Sequence, residues 1–101
     1  MNSADTRPIE WLMAWYESHC NGDWEHQYGV HINTLDNPGW ALDVDLAETP
    51  DAERVIPSEM VERSESDWVF VEVKDAKFLA RGGPRNLGEM ILRFKAFVSV
   101  G

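Results

Sequence analysis

Apolar residues recur at Ile9, Leu12, Met13 and Tyr16, the i, i+3, i+4, i+7 spacing that puts side chains on one face of a helix. Thr6 is a favourable N-cap, and Pro8 falls in the first turn, where a missing N–H is harmless. The helix is expected to stop near Cys20, because Asn21-Gly22-Asp23 is turn chemistry. Trp11 and Trp15 are four apart and lie to one side of the stripe, which gives this helix a broad aromatic surface.

The period then changes to two. Tyr28, Val30 and Ile32 alternate with Gly29, His31 and Asn33, which predicts a strand from Tyr28 to Leu35. Asp36-Asn37-Pro38-Gly39 combines a preset φ at Pro with a Gly free to take positive φ, a suitable tight connection between antiparallel strands. Beyond it, Trp40, Leu42, Val44 and Leu46 alternate with Ala41, Asp43, Asp45 and Ala47. After a break at Thr49-Pro50-Asp51, the segment from Val55 to Arg63 alternates imperfectly and contains Pro57, which suits an edge strand or a bulge. Asp67 to Lys74 carries apolar residues on both faces, as a strand with neighbours on either side does, and Lys77 to Arg81 can pair with it across Asp75-Ala76.

Gly82-Gly83-Pro84 closes the sheet region, and Asn86 can cap a second helix carrying Leu87, Met90, Ile91, Phe94 and Val98. The order is helix, about five antiparallel strands, helix, so the class is α+β. With 101 residues and no repeat or linker, residues 1–101 read as one domain. Five Trp, four Phe and two Tyr give such a chain enough large rings to close a core as a monomer.

Charge sharpens the picture because it is unevenly placed. Residues 1–53 hold eleven acids against Arg7 alone, a net −10, while residues 54–101 hold seven acids and eight bases, a net +1. An acidic half repels phosphate backbones and anionic lipid headgroups, which argues against nucleic acid or a membrane as partner. It favours encounter with a basic protein, although acidity also serves solubility alone. Cys20 is the one cysteine, so no intramolecular disulfide forms, and no basic segment followed by an apolar one opens the chain. The expected setting is reducing and cytoplasmic.

Candidate chemistry is sparse. His19-Cys20-Asn21-Gly22-Asp23-Trp24-Glu25-His26 contains every common zinc-ligand type but neither paired Cys-x-x-Cys nor His-Glu-x-x-His spacing. A small metal-binding or cysteine-dependent enzyme centred on Cys20, Asp23 and His26 is the alternative reading; a helix-ending turn with a capping Asp and a half-buried Cys is the simpler one. Asp43 and Asp45 share one face of a strand, either as paired carboxylates or as a solvated face available to a partner. Gly82-Gly83-Pro84-Arg85-Asn86 precedes a helix but lacks the Lys-Ser/Thr ending of a phosphate loop.

Three strings carry a resemblance: Trp11-Leu12-Met13-Ala14-Trp15-Tyr16, Gly22-Asp23-Trp24-Glu25-His26-Gln27-Tyr28-Gly29-Val30, and Thr34-Leu35-Asp36-Asn37-Pro38-Gly39-Trp40. With Asp67-Trp68, Phe78 and Gly83-Pro84-Arg85-Asn86-Leu87, the chain resembles the immunity protein 53 family of bacterial polymorphic toxin systems. The resemblance implies a small cytosolic antitoxin that binds a cognate toxin and has no catalytic residues; neither a cofactor nor a metal is expected. Joined to the acidic half, it points to a basic toxin and to Trp11, Trp15, Asp23, Trp24, Glu25, His26, Asp43 and Asp45 as partner-binding residues. Charge mimicry of a nucleic acid in a basic toxin cleft is one route to inhibition. An interaction module unrelated to toxins is the remaining alternative.

Overall fold

The computed structural model describes residues 7–100. The elements are α1 (Pro8–His19), α2 (Trp24–Gln27), β1 (Val30–Leu35), β2 (Gly39–Asp45), β3 (Ile56–Glu62), β4 (Trp68–Lys74), β5 (Lys77–Gly82) and α3 (Leu87–Val100). The five strands form one antiparallel sheet in the order β1-β2-β5-β4-β3. The expected α+β arrangement, a helix, a five-stranded antiparallel sheet and a closing helix, is the one observed.

Cross-strand partners share a face, so the register sorts the sheet into two sides. Leu42, Val44, Val71, Val73, Phe78 and Ala80 lie on one side and are buried beneath Met90, Ile91, Phe94 and Phe97 of α3. Helix α3 packs on β2, β4 and β5, and α1 packs on α3. Both long helices therefore cover the same side. The opposite side carries Asp43, Arg81, Leu79, Glu72 and Phe70, in line with one-sided burial of an antiparallel sheet.

The β1–β2 hairpin turns at residues 36–38, with the Asn37–Pro38 peptide bond cis. Gly39 does not take the positive φ expected of it. Glycine is required there for another reason: a Cβ would run into the Gly82 carbonyl of β5. Pro57 and a register shift between Ile56 and Glu59 mark β3 as the irregular edge strand its sequence suggests. Asp75 and Ala76 both adopt positive φ, 54° and 59°, the mirror-image turn that matches strand twist.

Two details at the helix ends differ from expectation. The proposed N-cap Thr6 lies outside the described residues, and Arg7 occupies the N-cap position without a side-chain cap. Asn86 does precede α3, and its carbonyl accepts from Met90 N at 2.9 Å. Its side chain turns away to join helix to sheet, with Nδ2 donating to Asp67 and Glu89 and Oδ1 accepting from Trp68 N.

Candidate partner-binding surface

Of the expected α1 stripe, Leu12 alone is buried. Trp11 and Trp15 face inward, with ring centroids 5.6 and 4.9 Å from Phe94, and Leu12 is buried between them. Ile9, Met13 and Tyr16 are exposed, at 44%, 57% and 38%. The indoles win the buried face because each carries more apolar area than the aliphatic side chains competing for it.

The residues after α1 form a compact platform. Asn21 Oδ1 accepts from Asp23 N and Trp24 N, and the Glu25 carboxylate accepts from Asn21 N and Gly22 N at 2.9 Å each. Backbone N–H bonds, first its own and then those of Asn21 and Gly22, hold the Glu25 carboxyl below the usual carboxylate value against the opposing effect of burial. Asn21, and not the expected Asp23, is the capping side chain. Asp23 is exposed at the N-cap position of α2 and makes no side-chain cap bond.

Trp24 is 2% exposed and donates from Nε1 to the Ala47 carbonyl at 2.9 Å. Expected from sequence among the partner-binding residues, it is buried as folded and offers a partner almost no surface. It instead supports the platform, at 6.0 Å from Trp15 and 5.7 Å from His19 between ring centroids. Partial burial lowers the His19 pKa, partly opposed by Asp51. His26 is exposed beside Asp23.

Asp43 and Asp45 are not a solvated face. Asp45 is buried, accepts from Gly29 N at 2.9 Å and Lys77 Nζ at 3.1 Å, and lies 3.8 Å from His31 Nε2. Asp43 accepts from Arg81 at 2.7 Å. Cations on neighbouring β5 compensate both charges, and both side chains are on the sheet side opposite the helices. The structure thus groups Trp11, Trp15, Trp24, Asp23, Glu25 and His26 at the helical layer and sets Asp43 and Asp45 apart from them.

Cys20 Sγ donates to the Tyr16 carbonyl at 3.3 Å. Among the described residues, Cys20, Asp23 and His26 do not form a cluster of metal-ligating groups, and neither does any other set of three. No described helix is long and apolar enough to cross a membrane.

Sequence reasoning missed the exposed apolar row on α1 and its continuation to Ile32, which is 38% exposed on β1. The signal was present in the second, overlapping stripe of Trp11, Leu12, Trp15 and His19, which competes for the same helix.

A family model described as Immunity protein 53 matches residues 9–99. Neither the search of curated proteins nor that of solved structures gave a match. The matched span runs from the first turn of α1 to the last turn of α3 and takes in every strand, so the chain belongs to the immunity protein 53 family.

Proposed function

We propose that this protein is a non-catalytic antitoxin that binds and neutralises the cognate toxin domain of a bacterial polymorphic toxin system in the cytoplasm. Family membership over residues 9–99 is the observation that carries the reading. The charge distribution supports a basic toxin. Between Pro8 and Pro38 the chain has Glu10, Glu17, Asp23, Glu25 and Asp36 and neither Lys nor Arg. Glu17, Asp23 and Asp36 are exposed and have no cation partner among the described residues, so their field reaches outward.

In this reading Asp23, Glu25 and His26 meet the toxin, and the partly exposed edges of Trp11 and Trp15 extend the contact. Trp24 acts from below by fixing the platform. Asp43 and Asp45, held by Arg81 and Lys77, serve the sheet and add little to the outward field. A basic active-site cleft made for phosphate would accept such an acidic surface in place of nucleic acid.

Co-expression tests the proposal. Cells producing the toxin domain encoded by the adjacent gene should survive when this chain is also produced, and the two proteins should co-purify. Death of those cells at full expression of a folded chain would refute it.

A further inference from the structure

Four of the large apolar side chains most exposed on this protein, Ile9, Met13, Tyr16 and Ile32, gather around one groove of about 430 Å³ between α1 and β1. Leu12, Tyr28 and Val30 add to its lining. The groove exists because α3 rests mainly on β2, β4 and β5, and α1 leans on α3, leaving the helix-facing side of β1 partly uncovered.

The same strand has a free edge. Asp45 N donates to Gly29 O at 3.0 Å, which fixes the phase of the antiparallel ladder. Gly29, His31, Asn33 and Leu35 therefore turn their backbone groups toward β2, while Val30, Ile32 and Thr34 direct N–H and C=O outward. Proteins usually block such an edge with Pro, charge or a bulge. The other edge, β3, has all three in Pro57, Glu59, Glu62 and the register shift at Ile56/Glu59. The sequence of β1, Val-His-Ile-Asn-Thr-Leu, has none of them.

We propose that β1 is kept open to receive an extended segment of the toxin, which pairs with Val30, Ile32 and Thr34 as a sixth strand. Its alternate apolar side chains enter the groove, and its flanking basic residues meet the acids around it. This deepens the neutralisation reading and rests on it. Charge selects the occupant. Glu17 lies along the outer side of α1, Asp23 and Glu25 precede the strand and Asp36 follows it, so a basic segment is attracted. A second copy of this chain, with net charge −9, would bring the same acids against themselves.

The test uses the full chain and an inactivated form of the toxin domain encoded by the adjacent gene. On complex formation, the amides of Val30, Ile32 and Thr34 should exchange with solvent at least about tenfold more slowly, as expected of newly paired backbone groups. Met13→Glu and Ile32→Glu should each weaken binding by about tenfold or more, the loss typical of a buried apolar contact, whereas Met60→Glu on β3 should leave it unchanged. If the wild-type complex forms while those amides keep their free exchange rates and both groove variants bind like wild type, strand addition is refuted and neutralisation stands. If the wild-type chain forms no complex, both fall. Slowed exchange at these amides in the isolated chain on raising its concentration would assign the groove to a second copy and overturn the proposal.

Discussion

Replacing Trp24 with alanine separates a buried support from an interface anchor. The indole is 2% exposed, so folding removes nearly all of its surface from water. A side chain of this type buries roughly 200 Å², which at about 25 cal/mol/Å² corresponds to at most about 5 kcal/mol. Large aromatic-to-alanine replacements in cores cost about 3–5 kcal/mol, so the cavity and the lost area agree on the scale. The change also strands the Ala47 carbonyl, which now accepts from Nε1 at 2.9 Å. For a domain of this size each kcal/mol moves the melting temperature by about 4–8 °C, so Trp24→Ala should lower it by roughly 15–30 °C. Trp24→Phe keeps a ring but loses the N–H bond, and should cost about 1–2 kcal/mol. Urea and thermal unfolding followed by circular dichroism measure both. A Trp24→Ala protein that melts within a few degrees of wild type yet no longer binds toxin would refute the assignment and restore the anchor reading.

The remaining expectations concern the turn, the ion-paired strand and acid. Ala76→Gly should raise stability by roughly 0.5–1 kcal/mol in urea denaturation, because a Cβ at φ 59° is strained where glycine is not. An unchanged midpoint would count against that strain. Asp45→Ala should cost about 1–3 kcal/mol, since it leaves the buried Gly29 N–H without its acceptor; a neutral effect would show that the bond contributes nothing. His19 has its pKa lowered in the fold by burial, against a smaller opposing effect of Asp51, so the unfolded chain takes up the proton first. Stability should begin to fall below about pH 6.5 and continue until the folded ring also protonates. The Asp67 carboxyl is held low by Arg63 and then Asn86. Burial pushes the Glu89 carboxyl up, but bonds from Arg63, Arg93 and Asn86 outweigh it and leave it lowered. Their contribution is present above the unfolded carboxylate range near about pH 4 and is lost as pH falls through the lower folded values, so melting temperature should drop more steeply there. Removing His19 as His19→Gln should flatten the first decline and spare the second.

The strands were legible because their signals are local. Alternation in Trp40 to Leu46, Pro57 in an irregular run and the Asp75-Ala76 break each fix an element without help from distant residues. What failed was orientation. Helix α1 carries two overlapping apolar stripes, and only the presence of Phe94 from α3 decides that the Trp stripe turns inward. The short helix α2 shortened the predicted strand, since Tyr28 N is committed to Trp24 O at 2.8 Å and β1 begins at Val30. The candidate site suffered most from this kind of non-local fact. Asp43 and Asp45 look solvated in the sequence because Arg81 and Lys77, which neutralise them, arrive from more than thirty residues away. The exposed acids of the first half and the family strings were legible, and they are what supports the proposed interface after the buried and paired residues are set aside.

Neutralisation is tested most directly by a binding titration of the purified chain against the inactivated toxin domain encoded by the adjacent gene, at low and high ionic strength. The predicted result is a saturable complex whose affinity falls as salt screens Glu17, Asp23 and Asp36, and falls further for a folded chain carrying Asp23→Lys. No saturable binding at any ionic strength, with both proteins folded, would contradict it.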